Sequence, residues 1–193
     1  HSHSHDYLTK FTFQKFVEDI EESIKIFKNK LGYNPIYFSY PFGEYNLEQK
    51  NYIANNFEFA FGQHSGVIDL NKDRYELPRF PINEKYGEIK RFKEVISYLP
   101  LQYKIIKPEN KFMNDGENPP KMTIEFFKDQ KNLENINCFS NEGSKWRKTN
   151  IVLIDNILNI NFAEKFIERR GRINCSLKDE NGWRFSGFQF VQN

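Results

Sequence analysis

Residues 36–46 read IYFSYPFGEYN, and the folding of this stretch decides the N-terminal half of the chain. Pro35 precedes an apolar run that Pro41 ends, so residues 36–40 read as a short buried strand bounded by turn residues. Asn46 follows the turn and Gln49 stands three residues on, the spacing of a capping box. They open a second helix with Leu47, Tyr52 and Ile53 at its apolar positions. Upstream, Phe13, Phe16, Val17, Ile20, Ile24, Phe27 and Leu31 recur at helical spacing, a stripe that reads as core. Acidic residues and lysines fill the other faces. Thr12 is placed to cap that helix and Gly32 to end it. Downstream, FEFAFG (57–62) reads as the next strand and LPRFPI (77–82) as another. Alternating helix and strand is the rhythm of an α/β layer or barrel with parallel strands.

That rhythm stops near residue 100. Residues 105–120 (IIKPENKFMNDGENPP) are rich in Pro, Asn and Gly and read as a linker or long connection. Beyond them MTIEFF, NINCFS, IVLI, ILNINF, RINCSL and WRFSGFQF are short strand-like runs separated by turn residues. Asp155-Asn156 joins two of them, and Asn181-Gly182 joins the last two with a strong hairpin signal. Trp183 and Phe185 alternate in one phase, Phe188 and Phe190 in the other, so a bulge or bend is expected at Gly187. The density of strands predicts a small β-sandwich. The expected fold class is therefore α/β plus all-β, with residues 1–98 the α/β part, 99–117 a linker and 118–193 the sandwich. Cys138 and Cys175 both fall in sandwich strands, where they can pair or stay as buried thiols; the compartment stays open with them.

Composition narrows the function classes. Lys+Arg number 28 against 26 Asp+Glu, a net charge of +2, which argues against a dedicated nucleic-acid binder. Twenty Phe and ten Tyr supply ample core material for 193 residues. No apolar run reaches the roughly 18 residues of a membrane span. P-loop, dinucleotide and cysteine-based zinc patterns are not found.

The chain begins HSHSH. His1 and His5, four apart, share one face of a helical turn; in an extended segment His1, His3 and His5 would align. Neutral imidazoles are common ligands of zinc, but two or three histidines leave a catalytic site incomplete. A polar tail reads equally well from spacing alone. Three motifs in order change that balance. His1-Ser2-His3-Ser4-His5 resembles the H-[ST]-x-x-H metal motif of polysaccharide deacetylases (carbohydrate esterase family four, chitooligosaccharide deacetylase-like). Tyr40-Pro41-Phe42-Gly43 resembles that family's aromatic-Pro-aromatic-Gly turn, and ELPRFPINE (76–84) resembles a late-barrel strand of one of its branches. The resemblance covers residues 1 to about 90.

The resemblance implies a fold and a chemistry. Residues 1–98 would be the C-terminal part of a distorted (β/α) barrel. His1 and His5 would be ligands of a divalent metal, zinc foremost, with His3 a spacer. Tyr40, Pro41, Phe42 and Gly43 would line the substrate groove, and the Phe42 N–H would help hold the oxyanion. The family's third ligand and general base are aspartates of an earlier Asp-Asp motif, which does not precede His1. The chain is thus expected to be a portion of a larger protein and inactive by itself. His64, in FGQHSG just after the strand expected at 57–62, is the candidate acid. Ser39 stands where many members carry an arginine, so Arg79 is the candidate for that charge. The implied activity is hydrolysis of N-acetyl or O-acetyl groups, carbon–nitrogen amide bonds foremost, on a cell-surface or capsular glycan. The alternatives are a non-catalytic glycan-binding or assembly protein that kept the fold, and an ordinary α+β protein with a histidine-bearing tail. Arg169, Arg170 and Arg172 read as a solvated turn in preference to an anion site, and Trp146 and Trp183 as core residues in preference to sugar platforms.

Overall fold

The structure is a computed structural model and describes residues 1–69, 71–114 and 116–192. It is a mixed α/β molecule with sheets and few helices. In its first half, α1 (Phe13–Leu31) is capped by Thr12, whose Oγ1 accepts the Lys15 N–H at 3.3 Å, and ends at Gly32 with φ +84°. β1 (Tyr37–Ser39) leads through the Pro41 turn into α2 (Leu47–Asn56), where Asn46 and Gln49 close the expected capping box. β2 (Phe59–Phe61) pairs parallel with β1, with Tyr37 opposite Phe59. Phe16, Ile20, Phe38, Ile53 and Ala60 form the core between helices and strands. The α1 stripe is buried only at its middle: Phe13 and Leu31 near the ends stay exposed, beyond the reach of the short strands.

Residues 77–82 do not form the expected strand. Leu77 makes one parallel bridge to Phe61, its N–H and C=O bonding Ala60 and Gly62, and pairing then stops. Pro78 and Pro81 lack the N–H groups a ladder needs.

After α3 (Ile89–Val95), the stretch expected to be linker contributes three short strands, β3 (Leu99–Pro100), β4 (Ile105–Lys107) and β5 (Phe112–Met113). The rest is antiparallel: β6 (Met122–Glu125), β7 (Asn137–Ser140), β8 (Arg147–Lys148), β9 (Asn150–Ile154), β10 (Ile157–Asn161), β11 (Arg170–Asp179) and β12 (Gly182–Gln192). One sheet has the order β4-β6-β10-β9; the other runs β3-β12-β11-β7-β8, with β5 beside β12. Met122, Ile124, Leu158 and Ile160 of the first sheet share a core with Ile173, Leu177, Phe188 and Phe190 of the second. Cys138 and Cys175 stand opposite each other on β7 and β11 and form a disulfide inside that core.

The β11–β12 ladder continues without interruption from Arg170↔Val191 to Asp179↔Gly182, so Gly187 is not a bulge. The change of phase has another cause. Both faces of β12 are used: Phe188 and Phe190 enter the core, while Phe185, on the other face, packs against Phe80 and Tyr98. A Cβ on Gly187 would lie 2.3 Å from the Ser65 carbonyl oxygen, so glycine lets the first half approach the outer face of this sheet. Among the described residues no helix is long and apolar enough to cross a membrane.

Candidate active site

The N-terminal segment folds back on itself. Ser2 is buried and its Oγ accepts the His5 N–H at 3.2 Å, while His5 takes φ +57°. The Ser4 N–H donates to Asp19 Oδ1 at 3.0 Å and ties the loop to α1. The result brings the His1 and His5 rings to a centroid distance of 4.8 Å, both exposed. His3 is exposed and takes no part in this pair.

Phe42 is the hub of the site. It sits in the left-handed region (φ 58°, ψ 5°), a costly conformation for a bulky residue and one associated with functional positions. Its ring meets His5 edge-on at 5.2 Å and stacks on Tyr7 at 4.4 Å, and the Arg170 guanidinium lies 5.7 Å above it. Among the described residues the Phe42 N–H makes no hydrogen bond, whereas the carbonyls of Phe42 and Gly43 accept Gln189 Nε2 at 3.2 and 3.0 Å. Gly43 follows at φ +69°, and a Cβ there would lie 2.5 Å from the Gln63 nitrogen. Tyr40, Pro41 and Gly43 are buried and shape the turn, the Tyr40 hydroxyl donating to the Tyr75 carbonyl at 3.0 Å. Phe42 alone of the four keeps accessible surface.

Glu44, next in the chain, is buried and held by the β-rich half. Arg169 Nε donates to both of its oxygens, at 3.2 and 3.0 Å, and Arg169 Nη2 also reaches Thr9 Oγ1 at 2.9 Å. The same guanidinium lies 4.9 Å over the Tyr7 ring. The basic cluster is therefore not a solvated turn: it clamps the motif turn and the segment after His5. Arg169, Gln189, Glu44 and Tyr7 are the site-forming residues that sequence reading passed over. The only signal was the run Arg169-Arg170-x-Arg172. Trp146 and Trp183, expected in the core, are about half exposed (53% and 48%).

The structure does not bring His64 to this cluster. His64 lines a cavity of about 40 Å³ shared with Tyr45, Glu76, Tyr103 and Lys111, whose lining includes neither His1, His5 nor Phe42. Lys50 bonds Asp73 at 2.7 Å and Glu76 at 3.4 Å, and the Tyr45 hydroxyl donates to Glu76 at 2.9 Å. Burial pushes the His64 imidazole down to about 4; Glu76 opposes this and Lys111 adds to it. The ring is neutral at neutral pH. Burial likewise lowers Lys111. The His64 carbonyl accepts the Arg79 N–H at 3.0 Å, and the Arg79 side chain is exposed.

The His1–His5 pair offers two imidazole donors close enough to share one ion. Among the described residues no group of three or more His, Cys, Asp or Glu side chains is gathered as metal ligands would be. An exposed histidine pair beside a strained aromatic turn, on a mixed α/β frame, is the class of site this fold presents. Residues 1–61 match the model of the polysaccharide deacetylase family. Among solved structures, the chain is similar to Streptococcus pyogenes deacetylase PplD in complex with acetate, at 18% identity and a TM-score of 0.44. That likeness covers 47% of this chain and 40% of PplD, so this chain spans less than half of that protein. No curated protein sequence matches.

Proposed function

We propose that the chain forms part of a metal-dependent deacetylase that removes N-acetyl groups from a glycan. The α/β half is in this reading a portion of a (β/α) barrel, and the two antiparallel sheets are a β-sandwich that braces it. The observation that carries the reading is the His1–His5 ring pair set against Phe42, in a segment that matches the deacetylase family.

His1 and His5 would hold a divalent ion, zinc in this reading. What such an ion supplies is polarisation of an acyl carbonyl. The chain's own residues do the rest. The Phe42 N–H, which among the described residues has no hydrogen-bond partner, donates to the carbonyl oxygen as charge builds on it. The accessible edge of the Phe42 ring, held by its stack on Tyr7, gives a sugar an apolar contact. Gln189 holds the Phe42 and Gly43 carbonyls, so the turn does not relax when substrate leaves.

The test is zinc titration of the chain by calorimetry. One ion per chain is expected, with affinity about tenfold or more weaker in His1→Ala and in His5→Ala. Unchanged affinity in both variants would sink the metal role. Ser39 in the place of the family's arginine favours a second reading, a glycan-binding protein that kept the fold. Glycan binding indifferent to zinc and to both histidines would select it.

A further inference from the structure

Beside Phe42 the surface is unusually rich in guanidinium groups. Arg170 and Arg172 are two apart on β11 and so project from the same face, about 7 Å apart along the strand. Arg170 lies over the Phe42 ring, which itself touches His5, and reaches Glu44 only at 3.7 Å because Arg169 already grips that carboxylate. Arg172 donates through Nε to Gln189 Oε1 at 3.3 Å. Among the described residues no carboxylate lies within ion-pair distance of either Arg172 or Arg79. The chain before Arg79 runs against this same face: a Cβ on Gly66 would meet Pro78 at 2.9 Å and the Gly187 nitrogen at 3.5 Å, two residues from the Gln189 that pairs with Arg172. Burial first, then the like charges of Arg170 and Arg79, hold the Arg172 guanidinium below its ordinary value, against the pull of Glu168. Half-buried cations set side by side repel one another, and an anion placed among them relieves that cost.

We propose that Arg79, Arg170 and Arg172 form a subsite for an anionic group, a carboxylate or phosphate, on a sugar next to the one presented to the His1–His5 pair. This rests on the deacetylase reading and adds the substrate class: an acidic glycan. Planar guanidinium groups are suited to bidentate contact with either anion. Gln189 joins the two functions, since its oxygen holds Arg172 while its nitrogen holds the Phe42 turn. The positive field also disfavours the free amine that deacetylation leaves behind.

The experiment titrates the full chain, in chelator, with three probes: a hyaluronan tetrasaccharide, N-acetylglucosamine 1-phosphate and neutral chitotetraose. One of the charged probes should bind about tenfold tighter than chitotetraose, with the advantage shrinking between about 50 and about 300 mM salt. Whichever charged probe binds tighter identifies the group as carboxylate or phosphate. Arg172→Gln and the exposed Arg79→Gln should each weaken the charged probe about three- to tenfold and leave chitotetraose unchanged, with Arg172→Lys keeping part of the affinity. Equal affinity for charged and neutral probes, no binding of any probe, or charged-probe binding unaffected by both Gln variants overturns the proposal. Since no metal is present, the outcome is independent of the zinc titration that tests the deacetylase reading.

Discussion

Arg169 grips Glu44 across 125 positions of sequence: Nε lies 3.0 Å and Nη2 2.9 Å from Glu44 Oε2, and the carboxylate is fully buried. A buried carboxylate stays charged only where donors replace the water it lost. The contact therefore ties the turn beside Phe42 to the start of β11.

Arg169→Met should destabilise the protein by about 3 kcal/mol, because the buried Glu44 carboxylate loses its nearest donors and Arg170 replaces them only in part. Urea unfolding measures this. Glu44→Gln in the Arg169→Met background should recover part of the loss; a double variant no more stable than the single one would show that the stranded carboxylate is not the cause.

Phe42→Gly separates the strained backbone from the ring. Glycine relieves about 1 kcal/mol of left-handed strain, and the lost stacking on Tyr7 removes a similar amount, so net stability should change by less than about 1 kcal/mol. Glycan binding should nonetheless fall severalfold. Binding equal to that of the parent protein would remove Phe42 from the site.

His64 sets an acid limit on stability. Its folded value is lowered to about 4 from an ordinary 6.5, so between these values the unfolded chain takes up a proton that the folded chain refuses. Stability from this source is fully present above pH 6.5 and is lost as pH falls toward 4, by about 3 kcal/mol. His64→Gln should flatten that window in thermal melts recorded from pH 7 to 4. An unchanged slope in the variant would place the titrating group elsewhere.

Reduction of the Cys138–Cys175 bond, or its replacement by a Cys138→Ala/Cys175→Ala pair, should cost about 3–4 kcal/mol, the loop closed being 37 residues in separation. The site lies on the opposite side of β11 from the disulfide, so zinc affinity below the new melting temperature should be unchanged. A parallel fall in zinc affinity would mean that the core disulfide also positions the histidines.

Much of the local structure was legible in the residues. Thr12, Gly32 and the Asn46–Gln49 box mark helix ends because capping groups bond within a few positions of themselves. The turns after Ile154 and Asp179 were equally plain, since Asp155 adopts the positive φ its short side chain tolerates and Gly182 the one that glycine permits. The HSHSH and Tyr40–Gly43 motifs pointed to one neighbourhood, and His5 and Phe42 do touch. The edge strands at 99–100, 105–107 and 112–113 were hidden, because two or three residues are too few to show a period.

The sequence by itself determined where α1 begins and ends, where α2 begins, where hairpins turn and which motifs the N-terminal segment carries, since all of these depend on contacts a few residues long. Only the tertiary structure decided that Arg169 buries its charge against Glu44, that Gln189 holds the Phe42 turn from 147 positions away, and that His64 lines a cavity that reaches neither His1, His5 nor Phe42. Those outcomes follow from which faces two packed halves press together, and a pairing over such distance leaves no periodicity in the chain.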